Sequence, residues 1–160
     1  MIIAITGTPC TGKTETAKVV AKELGWEYVS LNDLAAEKNF YLGTDKDRDS
    51  KIVDLEKLAN EIKKRSRNLI IESHYAHDMP CNGIVVLRCD QKELRSRMEQ
   101  RNWPEKKIAE NLEAEIMEVI LAEAYERNLP LLDVETTNAK TTVQKIVSWI
   151  KRSFDGPAGT

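Results

Sequence analysis

Gly7-Thr8-Pro9-Cys10-Thr11-Gly12-Lys13-Thr14 is the stretch on which the fold turns, and it satisfies G-x-x-x-x-G-K-[ST] at every required position. At ordinary glycine usage the pattern arises by chance in roughly 0.5% of chains this long. Each required residue answers a physical need. The glycines let the backbone wrap with its N–H groups pointing inward, where they hold phosphate oxygens. Lys13 brings a mobile point charge to β- and γ-phosphates. The Thr14 hydroxyl is a hard oxygen suited to Mg2+. A helix opening at Lys13 adds the positive end of its dipole. Gly7, Cys10, Gly12, Lys13, Thr14 and Glu15 are therefore the candidate nucleotide-binding residues of this loop.

Such a loop needs a buried strand before it and a helix after it. Ile2 to Thr6 is a short apolar run of the right kind, and Thr14 to Leu24 places Ala17, Val20, Ala21 and Leu24 on one helical face, with Gly25 just past the end. Leu69 to Glu72, Ile84 to Arg88 and Leu131 to Val134 repeat the apolar run without alternating polarity, and Glu27 to Leu31 is a weaker fifth. Runs of this type are strands buried on both faces of a parallel sheet. Helical patterns fill the gaps at Asp54 to Arg65, Gln91 to Arg101, Pro104 to Arg127 and Val143 to Ile150. In the longest, Ile108, Leu112, Ile116, Val119, Ile120 and Ala124 form the expected apolar stripe. Strand–helix alternation predicts a three-layer α/β fold, a parallel five-stranded sheet flanked by helices, with right-handed crossovers.

Composition sets the outer bounds. The 160 residues suit one domain, and 41% apolar residues suffice for a core. A net charge of −2 argues against a general nucleic-acid coat protein and against sequence-specific nucleic-acid binding. Three cysteines without framework spacing fit a reducing compartment. Neither a signal-peptide core nor a membrane-spanning run is evident, so a soluble cytoplasmic protein is expected. The tail from Asp155 to Thr160 is expected to fray.

A nucleotide site of this kind needs an acid at the end of a second buried strand. Glu72 stands there, placed to orient Mg2+ together with Thr14, while His74 can position a water or polarise a phosphate. Arg95, Arg97 and Arg101 come next in one helix, and Arg88 to Lys107 carries seven basic and four acidic residues, a local +3. Guanidinium forks offset the charge that develops during phosphoryl transfer. Two other patterns are weaker. Asp45 to Glu56 resembles a calcium-binding loop, with carboxylates at positions one, three, five and twelve, but Ser50 replaces the glycine required at position six. His74, His77, Cys81 and Cys89 fit no standard zinc spacing.

The ordered set resembles the adenylate kinase isoenzyme six family, a small nuclear and archaeal group of P-loop NTPase-fold nucleoside monophosphate kinases. Its carriers are Ile5 to Pro9, Gly12-Lys13-Thr14, Val29 to Leu34, Asp45 to Asp54, Glu72-Ser73-His74 and Val86-Leu87-Arg88. Leu94, Arg97 and Arg101 belong to the same set, then Lys107-Ile108, Asn111 and Glu113 to Ile116. The resemblance runs from Met1 to about Trp149. It implies a single kinase domain over 1–154 that transfers the ATP γ-phosphoryl to AMP with Mg2+, accompanied by ATPase activity. Lys13, Arg101, Glu72 and His74 would serve the chemistry. Residues 30–53 would form a monophosphate-binding arm with Ser30, Asp33 and Asp49, and the acceptor phosphate would borrow Arg88, Arg97 or a lysine. Residues 100–110 would form a short lid bearing Arg101, with Arg97 on the nucleotide and Asn138 and Lys140 near the adenine. The family also links to small ribosomal subunit maturation through a ribosomal protein, and a nuclear location is expected if the source is eukaryotic. Two departures stand out: the family usually has Gly at the Cys10 position and Asp at the Glu72 position. The arm from Asp33 to Glu61 is also acidic, eight acids to five bases, with Arg48 its only arginine.

Overall fold

The computed structural model describes residues 1–136 and 138–154. Five parallel strands form the central sheet: β1 (Ile2–Gly7), β2 (Glu27–Ser30), β5 (Leu69–Glu72), β6 (Gly83–Arg88) and β7 (Leu131–Glu135), in the order β2-β5-β1-β6-β7. All five expected runs are strands, and their continuous apolarity has a direct cause. Along β1, Ile3 and Ile5 enter the core shared with α1 (Lys13–Leu24) and α7 (Ala139–Phe154), while Ala4 between them enters the opposite core. Ile70 faces the first layer, and Leu69 and Ile71 face the second, where α2 (Leu31–Lys38) and α3 (Leu55–Lys63) pack. Val85 and Leu87 likewise point one way, and Ile84 and Val86 the other, onto α6 (Val119–Tyr125). A strand with both faces covered has no polar face to alternate. The expected three-layer α/β architecture is therefore the observed one.

Topology then fixes where a ligand can bind. The chain lays β2 and β5 on one side of β1 and β6 and β7 on the other. The carboxyl end of β1 thus lies at the switch point of an open parallel sheet, the usual crevice for ligands in such folds. Three helices begin there with defined caps. Gly12 at φ 92° precedes α1, Asp90 accepts from the Lys92 and Glu93 N–H groups at the start of α4 (Gln91–Gln100), and Ser30 accepts from Asp33 N–H at the start of α2.

Three sequence expectations are corrected. The segment from Pro104 to Arg127 is not one helix. It divides into α5 (Glu105–Ile116) and α6, with Glu118 in the left-handed region at φ 52°. A straight continuation along the Ile108–Leu112–Ile116 stripe would carry the chain away from β6. The turn instead brings Leu121 and Ala124 onto Ile84 and Val86, leaving Ile116 and Met117 exposed. Second, residues 31–53 hold helix α2 and an antiparallel hairpin, β3 (Tyr41–Asp45) with β4 (Ser50–Val53), which the polar composition concealed. Third, that hairpin disposes of the calcium loop. Such a loop follows an entering helix, whereas the residues that lead into Asp45 are strand β3, and Asp45 accepts from Arg48 and from the Asp47 and Arg48 N–H groups. Among the described residues no helix is long and apolar enough to cross a membrane, and the expected fraying tail at 155–160 lies outside them.

Candidate active site

At its first residue, Gly7, the loop is held against the β6 backbone with no room for a side chain. A Cβ on Gly7, whose φ is 151°, would stand 2.4 Å from the Leu87 carbonyl oxygen, so glycine is obligatory there. Cys10 takes a positive φ of 72° without that freedom, at the position where the family's usual glycine is absent. Its carbonyl accepts from Arg97 Nη1 at 3.0 Å, and Arg97 Nε donates to Glu93, so the guanidinium joins α4 to the loop. Glu115 of α5 is buried, and that burial pushes its carboxyl up.

Lys13 is 8% exposed, and its Nζ donates to the Thr8 carbonyl at 3.1 Å. Burial pulls its pKa down to about 8, the nearby Arg101 adding to the effect and Glu72 opposing it. A cation kept from water in this way gains most from an incoming polyanion. Beside it, the Thr14 hydroxyl donates to Glu72 Oε1 at 2.9 Å, and the Tyr28 hydroxyl donates to the same oxygen at 2.8 Å. The three residues come from the start of α1, the end of β5 and β2. Burial and the neighbouring carboxylate push the Tyr28 phenol well above its ordinary range, so it remains a donor. Thr14 and Glu72 present adjacent hard oxygens, a donor set that fits Mg2+. His74 stands exposed at the cleft mouth, its ring edge-on to Tyr75. Partial loss of water around the ring holds its pKa below the ordinary value, with Lys13 and His77 adding to the shift, so it is neutral near pH 7.

These groups line a cleft of about 930 Å3. Of the sequence candidates, Cys10, Gly12, Lys13, Thr14, Glu15, Asp49, Glu72, His74 and Arg101 border it. Others do not. Arg88 donates to Asp133 from Nε at 2.6 Å and Nη2 at 3.0 Å and also reaches Glu118 at 3.3 Å. It is thus paired with β7 and the α5–α6 turn and does not border the cleft. Ser30 caps α2, Asp33 is exposed on it, and neither borders the cleft. Asn138 caps the first turn of α7 through Thr141 N–H, and Lys140 is exposed nearby; both stand outside the cleft lining.

Residues not singled out from sequence complete the walls. Asn32 faces the cleft and accepts from the Tyr75 hydroxyl at 2.8 Å. Trp103, with the Lys107 ammonium 3.8 Å from its ring centroid, forms part of the lid side. Across the mouth, Arg48 of the β3–β4 turn lies 3.5 Å from Glu110 of α5. Tyr28 carried no signal beyond strand preference, since its role depends on β2 pairing with β5 in a register that sets Ser30 opposite Glu72.

Comparison with known proteins agrees with this geometry. A family described as "AAA domain" matches residues 3–118. A Pyrococcus abyssi protein named "Putative adenylate kinase" is 39% identical over 156 residues, covering 94% of this chain and 84% of that one. A Methanosarcina mazei protein of the same name is 38% identical over 174 residues, covering 94% and 88%. Shikimate kinase from Acinetobacter baumannii superposes with a TM-score of 0.66 at 17% identity over 96% of this chain and 94% of that one. Deoxyadenosine kinase from M. mycoides gives 0.60 at 17% over 95% and 100%. These two likenesses concern the fold. The chain belongs to the P-loop nucleoside monophosphate kinase family. As a P-loop kinase it takes ATP as phosphoryl donor, with Mg2+ usual for the class.

Proposed function

We propose that the protein is an adenylate kinase of the isoenzyme six group, catalysing ATP + AMP = 2 ADP with accompanying ATP hydrolysis. The observation that carries this is the convergence of Lys13, Arg101 and the Thr14–Glu72 pair on one cleft walled by the β3–β4 hairpin and the α4–α5 junction. Transfer in line between two bound phosphates needs positioning and charge neutralisation, and no covalent intermediate. Lys13 and Arg101 would face the phosphates, Thr14 and Glu72 would hold Mg2+, and the loop N–H groups would cradle the donor. Bound Mg2+ supplies charge neutralisation on the transferred group. His74, neutral near pH 7, is available to orient a water or a phosphate oxygen.

The acceptor side is the distinctive part. With Arg88 paired to Asp133, the cations that the hairpin and the lid bring to the cleft for a monophosphate are Arg48, Lys106 and Lys107. Clamping of this kind is looser than a buried arginine pair, and the lid is short, so water competes as acceptor. That supports ATPase activity as a companion of transfer. The alternative is an ATPase acting in small ribosomal subunit maturation through a ribosomal protein. It rests on the acidic arm alone, and the relatives' names lend it no support.

A coupled assay of ADP production against AMP, CMP, UMP, GMP and dAMP, with a no-acceptor control, tests the assignment. AMP is expected to stimulate strongly and Lys13→Ala to abolish the stimulated rate. Full transfer by the Lys13→Ala protein refutes the role of the loop, and equal rates with and without any monophosphate refute the kinase assignment.

A further inference from the structure

Behind the phosphate loop, on the α6 side of the sheet, lies a second cluster that the phosphoryl-transfer chemistry does not use. His77 sits in the 3-10 turn Ala76–Asp78 and is 1% exposed. Its Nδ1 is 2.8 Å from Thr6 Oγ1, the last β1 residue before Gly7, and Thr6 is fully buried. Its Nε2 is 2.8 Å from Glu123 Oε2 of α6 and 3.9 Å from Asp78 Oδ1. One ligand atom from each of His77, Asp78 and Glu123 falls within 4.8 Å of the others.

We propose that His77, Asp78 and Glu123 form a binding site for a divalent transition-metal ion that ties α6 to the β1 end leading into the phosphate loop. The donor set is one imidazole and two carboxylates, which suits Zn2+ or Mn2+ better than the all-oxygen preference of Ca2+ and Mg2+. It is also not the His and Cys set of the sequence pattern, since Cys81 and Cys89 take no part in it.

Geometry agrees with the chemistry. Ligand atoms about 2.0–2.2 Å from one ion stand roughly 2.8–3.6 Å apart across octahedral and tetrahedral coordination. From 2.8 Å the His77–Glu123 separation has to open by at most about 0.8 Å, and from 3.9 Å the His77–Asp78 separation has to close by about 0.3–1.1 Å. Both carboxylates are about half exposed and turn freely, at 44% and 47% of side-chain surface. The buried imidazole, by contrast, is fixed. The 2.8 Å approach of Nε2 to Glu123 needs a proton between the two atoms, so Nε2–H donates there and Nδ1 accepts from the Thr6 hydroxyl. An ion that takes Nε2 selects the other tautomer, in which Nδ1–H donates to Thr6, the arrangement by which an outer hydrogen bond orients a metal-binding histidine. Arg127 Nη1 donates to the His77 and Met79 carbonyls and so pins the turn that carries two of the three ligands. Solvent reaches the ion from the carboxylate side, and water completes its coordination.

The test uses the full chain, stripped with chelator and free of nucleotide, titrated with Zn2+ alone by calorimetry and thermal melting. One ion per chain is expected, with a rise in Tm of roughly 5–10 °C at a hundredfold excess over Kd. The surface double variant Asp78→Asn/Glu123→Gln keeps shape and is expected to lose at least tenfold in affinity. Cys81→Ser is expected to bind as the parent does. His77→Gln is a third arm but risks misfolding, so the double variant decides. Absence of saturable binding in the parent, or unchanged affinity in the double variant, overturns the site and leaves a His77–Glu123 ion pair in its place.

Discussion

Replacing Tyr28 by Phe removes one hydroxyl and tests how Glu72 is held. In the structure Thr14 and Tyr28 donate to the same carboxylate oxygen, Oε1, of a residue that is 5% exposed. A hydrogen bond to a charged group contributes about 1.5–3 kcal/mol. Tyr28 is itself only half-buried and Thr14 keeps its own bond, so the loss falls near the lower end, about 1–2 kcal/mol. For a chain of this size about 1 kcal/mol corresponds to roughly 3 °C, and Tm is expected to fall by about 3–6 °C. The same change frees the Glu72 side chain, one bond longer than an Asp, to swing away from Thr14. The apparent KM for Mg2+ in the ATP–AMP reaction is then expected to rise by up to about tenfold, since about 1.4 kcal/mol is a factor of ten, with a smaller change in kcat at saturating metal. Melting curves and an Mg2+ titration of the coupled assay measure both. A Tyr28→Phe protein that melts within about 1 °C of the parent, with an unaltered Mg2+ titration, refutes the idea that this phenol positions the acid.

The Lys13 ammonium has a pKa of about 8 when folded against 10.5 unfolded. Between those values the unfolded chain holds a proton that the folded one lacks, so this residue makes stability rise with pH, by about 1–3 kcal/mol in all. Lys13→Met is expected to raise the Tm of the nucleotide-free protein at pH 7 while abolishing transfer, and to flatten the rise between pH 8 and 10; melts of both proteins across that range check it. Gly7→Ala drives a Cβ against the Leu87 carbonyl and is expected to cost at least about 3 kcal/mol, read as a large fall in Tm or in soluble yield. Arg97→Gln releases the Cys10 carbonyl and is expected to weaken ATP binding several-fold with about 1 kcal/mol of stability lost, measured by nucleotide titration and melting.

Sequence pattern reaches furthest where one local property dictates the outcome. Strands buried on both faces have to be continuously apolar, so Ile2 to Thr6 and Leu69 to Glu72 declare themselves, and the loop between β1 and α1 is defined by its own residue spacing. The hairpin at 41–53 has exposed faces, with Leu42 71% exposed, and no buried stripe to reveal it. The α5–α6 break obeys a packing demand made by β6, which no window on the helix itself contains. Site residues divide in the same way. Lys13 and Thr14 are legible through the spacing of the loop, and Glu72 because it ends an apolar strand. Arg88 looked available because it ends a strand near the loop, yet Asp133, 45 positions later, claims its guanidinium. Tyr28 and Asn32 enter the site only through the pairing of β2 with β5, a long-range register invisible along the chain.

The contact between Arg48 and Glu110 has a consequence for how the enzyme meets its surroundings. This ion pair spans the cleft mouth, and its partners are 64% and 41% exposed. Pairs so open to water contribute about 0–1 kcal/mol and weaken as salt is added. A latch of that strength shifts the ratio of shut to open by no more than roughly fivefold. Ionic strength therefore acts as a dial on how long the two walls stay together. On the proposed function, raising salt is expected to shorten each closed interval and to raise ATP hydrolysis relative to transfer, which ADP yields with and without AMP across a salt series measure.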